Sequence, residues 1–113
     1  MFFSSANTED IETIINIESE AFTQPWQHQA IIDELSCPEA SQSVAKAFLQ
    51  SQNRFAVVAY IFVRFLIDEM HIMKIAVDSD WRNRGTGSAL LRSMLKEGKR
   101  RGAATVLLEV RPS

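Results

Sequence analysis

The spacing of apolar positions along the chain predicts helices and strands in succession. Residues 1–5 read as a short first strand. In NTEDIETIINIESEAF, Ile11, Ile14, Ile15, Ala21 and Phe22 recur at helical spacing. Asn7 can cap that helix, with Asp10 at the third helical position and acids in the first turn, where the helix dipole favours them. Pro25 interrupts the pattern. A second helix is expected over 27–35, with Ile31, Ile32 and Leu35 inward and Pro38 just beyond its stop. SVAKAFLQ, residues 43–50, alternates only loosely and reads as a strand, and SQNR after it reads as a polar turn. FAVVAYIFVRFLI is rich in β-branched and aromatic residues and predicts a buried strand, with a turn at Asp68. EMHIMKIAV, residues 69–77, is the next strand. Strict alternation places Met70, Ile72, Lys74 and Ala76 on one face and Glu69, His71, Met73, Ile75 and Val77 on the other, and a bulge would change that parity.

The pattern turns helical again over 88–101, with Leu90, Leu91, Met94, Leu95 and Gly98 on one face. Lys99, Arg100 and Arg101 lie in the last turn and Gly102 can stop the helix. ATVLLEV, residues 104–110, is nearly continuously apolar, which predicts a strand buried on both faces, as in a parallel pair. Strand, loop, helix and strand together make a C-terminal βαβ unit. The chain of 113 residues has room for one domain, and no repeat or linker divides it.

Composition narrows the class. A net charge of -2 argues against a nucleic-acid-binding surface. The longest apolar run, residues 55–63, is far short of the roughly 18 residues that a membrane span needs, and the N-terminus lacks the features of a secretory signal. Cys37 stands alone, so no intramolecular disulfide forms and a reducing, cytoplasmic setting is expected.

The candidate chemistry lies in WRNRGTGSALL, residues 81–91. A helix start offers unpaired N–H groups and partial positive charge, and glycines let an anion approach them closely. Arg82 and Arg84 add charge-assisted donors. The loop has the make-up of a phosphate cradle. It is neither a Walker loop, because Gly87 is followed by Ser88 and Ala89, nor a Rossmann turn, because Leu90 stands where the third glycine belongs. Glu69 and His71 form an i, i+2 pair with no third ligand, so no metal site is expected. His71 reads as a packed strand histidine and Cys37 as an inert thiol. KRRG reads as a solvated helix end.

Arg82-Asn83-Arg84-Gly85-Thr86-Gly87 matches the Arg/Gln-x-x-Gly-x-Gly/Ala signature of the GNAT superfamily of N-acetyltransferases. The segment KIAVDSDWRNRGTGSALLRSMLKEGKRRGAATVLLEVRPS resembles the RimI type within it, the ribosomal-protein-alanine N-acetyltransferases. AFTQPW and DEMHIMKIAV resemble that family's segments after the first helix and before the loop. The resemblance implies a mixed α/β (α+β) fold, a mainly antiparallel central sheet flanked by helices. It implies acetyl-coenzyme A as cosubstrate and a protein N-terminal α-amine, that of a ribosomal protein, as acceptor. The pyrophosphate would sit on the amides of Arg84, Gly85, Gly87 and Ser88, with Arg82 at the first position of the signature and Thr86 within it. Ile75 and Val77 would hold the pantetheine arm through main-chain atoms. Glu109, at the family's LEVR position, is the candidate base. Glu69 is its rival. Pro25 and Trp26 would shape a loop that borders the acceptor groove.

The family's pattern continues past LEVR with an Asn-x-x-Ala helix, Leu-Tyr, Gly-Phe and a final strand pair, and these do not follow here. The reading therefore expects a domain that is incomplete after a strand ending near Val110. It assigns no residue as general acid, since the family's tyrosine lies in that part. It also expects an exposed C-terminal strand edge open to self-association. The alternative function is a catalytically impaired remnant that binds coenzyme A or a partner chain without turnover.

Overall fold

The computed structural model describes residues 1–37, 40–50 and 53–108. Pro38, part of the SQNR turn, Glu109 and Val110 lie outside the described residues. Five strands form one sheet in chain order: β1 (Phe2–Ser5), β2 (Ala40–Leu49), β3 (Arg54–Leu66), β4 (Glu69–Val77) and β5 (Thr105–Leu108). The first four pair antiparallel, and β5 joins β4 in parallel, from Glu69 opposite Thr105 to Ile72 opposite Leu108. The helices are α1 (Ile11–Ala21), α2 (His28–Leu35) and α3 (Thr86–Arg100). α3 makes the crossover between the two parallel strands, as such a connection requires.

The start of α1 follows from local chemistry. The Asn7 side chain accepts from the Glu9 N–H at 2.9 Å, and the Asp10 carboxylate accepts from the Asn7 N–H at 3.0 Å. This reciprocal cap closes a 3₁₀ turn at Thr8–Asp10 that leads into the helix. α1 buries Ile14, Ile17, Glu18 and Ala21. α2 buries Ile31 and Glu34, and Ile32, expected inward, faces solvent.

Each face of the sheet carries its own core. Ala59, Ile61, Val63, Met70 and Ile72 pack with Leu90 and Met94 of α3. Val44, Tyr60, Phe62 and Ala76 pack with Ile14, Ile17 and Ala21 of α1 and Ile31 of α2. The expected alternation in β4 does not hold along its length. Phe62 faces Lys74 while Val63 faces Ile72, so Met73 is an extra residue with no partner of its own in β3. Such a bulge flips the parity beyond it. Met70 and Ile72 before the bulge, and Ile75 and Val77 after it, pack in the α3 core, while Met73 and Ala76 pack on the α1 and α2 side, where Lys74 meets Glu18.

Two further expectations are corrected. α3 begins at Thr86 rather than Ser88, because the glycine turn closes the helix earlier. β5 is parallel as expected but not buried on both faces: all four of its residues are exposed, with Leu108 at 69%. Apolar composition predicts burial only where another layer covers the strand, and among the described residues none does. No helix among the described residues is long and apolar enough to cross a membrane.

Candidate active site

β4 aims its C-terminal end at the start of α3, and the turn between them is shaped residue by residue. Asp78 accepts the Asp80 N–H on its side chain at 2.9 Å, and the Trp81 N–H bonds to the Asp78 carbonyl at 2.9 Å. Asn83 takes φ 63° and Gly85 φ 77°, both in the left-handed region. Asparagine tolerates this and glycine does so without steric cost. Gly85 is the N-cap and offers no side chain. The first intrahelical bond runs from the Ala89 N–H to the Gly85 carbonyl at 3.0 Å. The N–H groups of Thr86, Gly87 and Ser88 therefore lack partners within the helix and point out of its start.

The two glycines serve different ends. A Cβ at Gly85 would meet nothing within 4 Å, so that side of the turn is open space. A Cβ at Gly87 would stand 3.2 Å from Val77 Cγ2, so its absence lets α3 pack against the end of β4. Around the turn lies a cleft of about 340 Å³, lined by Val77, Trp81, Arg82, Asn83, Gly85, Thr86, Gly87 and Ser88. Arg82 Nε donates to the Val77 carbonyl at 3.3 Å, and the Arg84 guanidinium stacks over Trp81 at 4.9 Å. Unpaired helix-start amides beside two guanidinium groups fit an anionic pyrophosphate.

The expected place for an extended arm is the edge of β4 that leads to this turn. β5 pairs with β4 only as far as Ile72 among the described residues. From Met73 to Val77, the strand paired with β4 among the described residues is β3. That stretch includes Ile75 and Val77, whose side chains turn into the α3 core.

Of the two candidate bases, the one among the described residues stands apart from this cradle. Glu109 lies outside the described residues. Glu69 opens β4, eight residues or roughly 26 Å of strand from Val77. It is 44% exposed and meets His71 Nε2 at 3.3 Å. Among the described residues no group of three or more His, Cys, Asp or Glu could hold a metal ion.

Sequence reasoning missed a charged cluster on the other face. Glu18 is 1% exposed, and its carboxylate accepts from the Tyr60 hydroxyl, from Lys74 Nζ and from the Trp26 N–H, the last at 2.7 Å. Lys74 Nζ lies 4.0 Å from the Phe22 ring centroid and 4.8 Å from that of Trp26. The signal was available: Glu18 occupies the stripe of Ile14, Ile17 and Ala21, where a carboxylate must find partners. Beside this cluster a second cleft of about 590 Å³ opens between α2 and the sheet, with Trp26, Gln27 and Ala30 on one wall and Met73 and Arg64 on the other. Arg64 closes one end by a paired bond to Glu34, at 2.7 and 3.1 Å.

Comparison with known proteins places these features in a family context. The model of the acetyltransferase (GNAT) family matches residues 11–113. The [ribosomal protein bS18]-alanine N-acetyltransferase of Escherichia coli strain K12 is 31% identical over 110 residues, which span 97% of this chain and 70% of that protein. The crystal structure of the ribosomal-protein-S18-alanine N-acetyltransferase from Escherichia coli is similar with a TM-score of 0.84 at 29% identity, covering 99% of this chain and 68% of that one. Ard1 from Thermoplasma volcanium is similar with a TM-score of 0.81 at 28% identity, over 97% of this chain and 71% of that one.

Proposed function

The chain belongs to the GNAT family of acetyltransferases and is an N-acetyltransferase that uses acetyl-coenzyme A, and on that premise we propose that its acceptor is the α-amine of a ribosomal protein. The observation that carries the acceptor is the likeness, along nearly the whole chain, to enzymes that acetylate the alanine of ribosomal protein bS18. Chemistry supports an α-amine. The attacking nitrogen must be neutral, and an α-amino group has a pKa near 7.7–8.0 against about 10.4 for lysine. A modest base then suffices at neutral pH.

In this proposal the amides of Arg84, Gly85, Gly87 and Ser88 hold the pyrophosphate, with Arg82 and Thr86 beside them in the signature. The main chain of Ile75 and Val77 lies along the pantetheine arm, and a main-chain N–H there polarises the thioester carbonyl. The acceptor nitrogen attacks the carbonyl carbon, Glu109 accepts the proton that the amine gives up, and the C–S bond breaks to release coenzyme A as its thiolate. Glu69, at the start of β4, is the rival base. Self-association through β5 is the second part of the proposal, supported by the exposed Val106, Leu107 and Leu108. Sedimentation of a monodisperse monomer would remove it.

The test is release of free coenzyme A with a peptide that begins with alanine, against the same peptide with its α-amine blocked. Release with the free peptide alone is expected, and Glu109→Gln should depress it at neutral pH while sparing coenzyme binding. A thermal melt reports that binding independently, since ligand at 100 times its Kd stabilises by about 2.7 kcal/mol. Stabilisation by acetyl-coenzyme A with no release from any amine would favour the remnant that binds without turnover.

A further inference from the structure

The buried cluster around Glu18 joins segments distant in sequence. Tyr60 and Lys74 are 42 and 56 residues from Glu18, and the Trp26 N–H belongs to the connection between α1 and α2. The carboxylate thus ties three elements to one point: α1 itself, the sheet through β3 and β4, and the connecting loop through a main-chain bond. Lys74 adds a second hold on the loop, since its ammonium lies against the rings of both Phe22 and Trp26.

A buried ion pair gains little net stability over apolar residues of the same volume. What it does is fix relative positions, because each charge must keep its partners. Here those positions are the two walls of the α2 cleft. Trp26 and Gln27 form one wall, and Met73, the bulged residue next to Lys74, stands in the other. We infer that Glu18 and Lys74 are positioning residues that clamp the α1–α2 loop against the β4 bulge and so set the width of a cleft that receives the acceptor. The acceptor half of this inference rests on the acetyltransferase reading above. The clamp itself does not.

The test uses the full chain with Lys74→Met, which removes the ammonium and keeps the stem. A second variant, Glu18→Gln with Lys74→Met, removes both buried charges and decides the matter if the single change fails to fold. Amide hydrogen exchange is followed at Trp26 and its neighbours in 22–27, with the β3 core as internal reference. Exchange in the loop should rise at least tenfold while the β3 core is unchanged. The acceptor KM should rise about tenfold, with acetyl-coenzyme A affinity and kcat within twofold of the parent. Lys74→Arg, which keeps the charge, should recover most of the loop protection. Unchanged exchange in 22–27, or equal loss of protection in loop and core, would overturn the clamp. A looser loop with unchanged acceptor KM would overturn the acceptor role alone. If the parent turns over no amine, the acetyltransferase reading has failed, and the exchange data still decide the clamp.

Discussion

Tyr60 offers a direct check on the interior just described, because it is the only tyrosine in the chain. Its ring is fully buried and its hydroxyl donates to Glu18. Burial first, then the bond to Glu18 and the charge of Glu18, hold the phenol far above its ordinary pKa of 10.0. The folded chain therefore keeps a proton that the unfolded chain releases from about pH 10 upward. A folded pKa above the unfolded one means that this contribution is complete below about pH 10 and is lost as pH rises. Each further pH unit costs about 1.4 kcal/mol from this group, or about 2 kcal/mol at about pH 11.5. The single group is isolated by comparison with Tyr60→Phe. Urea unfolding followed by tryptophan fluorescence between about pH 10 and about pH 12 should show a slope of stability against pH steeper by one proton in the parent. At neutral pH the variant should be weaker by about 1–3 kcal/mol, since Glu18 loses a donor in a buried site. Near-ultraviolet absorbance should show no tyrosinate while the fold persists. Tyrosinate appearing near pH 10 in a chain with native circular dichroism, or equal slopes in parent and variant, would refute the buried bond.

Gly85→Ala should cost about 1–2 kcal/mol in a thermal melt, because φ 77° penalises a Cβ even where nothing crowds it. It should weaken acetyl-coenzyme A binding in calorimetry beyond that, since the methyl group enters the cradle. Leu90→Ala, in the fully buried seam between α3 and the sheet, should cost about 2–5 kcal/mol in urea unfolding. Glu97 is bonded by Arg100 and Arg101, which hold its carboxyl down at about 2 rather than 4.5. Its contribution is present above about pH 4.5 and is lost as pH falls through about 2. A carboxylate NMR titration should show that depressed midpoint, and high salt should move it back upward.

What was legible in the sequence was whatever depends on neighbours in the chain. Asn7 and Asp10 announced the start of α1 because a capping box is a matter of four residues. The turn into α3 was legible for the same reason: it is a matter of neighbouring residues, and its shape depends on Gly85 and Gly87. Pairing between strands was less so. The bulge at Met73 exists only in the register of β4 against β3, and nothing local distinguishes Met73 from its neighbours. The exposure of Leu107 and Leu108 was misread because an apolar run reports what a strand could bury, not what lies over it. The Glu18 cluster went unread because its members meet only after the sheet and α1 have packed.

The bulge reconciles two demands made on one strand. β4 must turn Ile75 and Val77 toward α3, so that Gly87 can seat the cradle against Val77. It must also turn Met70 and Ile72 toward the same core. With strict alternation only one of these pairs could face α3, because 72 and 75 are an odd number of residues apart. In the register that keeps Met70 and Ile72 inward, Lys74 would enter the α3 core beside Leu90 and Met94, an ammonium without a carboxylate, at a cost of several kcal/mol. One extra residue at Met73 resolves both, and it sends Lys74 across the sheet to Glu18. The same irregularity that keeps Ile75 and Val77 in the α3 core therefore places the charge that meets Glu18 beside the α1–α2 loop. The cradle and the cleft on opposite faces of the sheet are positioned by a single residue's departure from register.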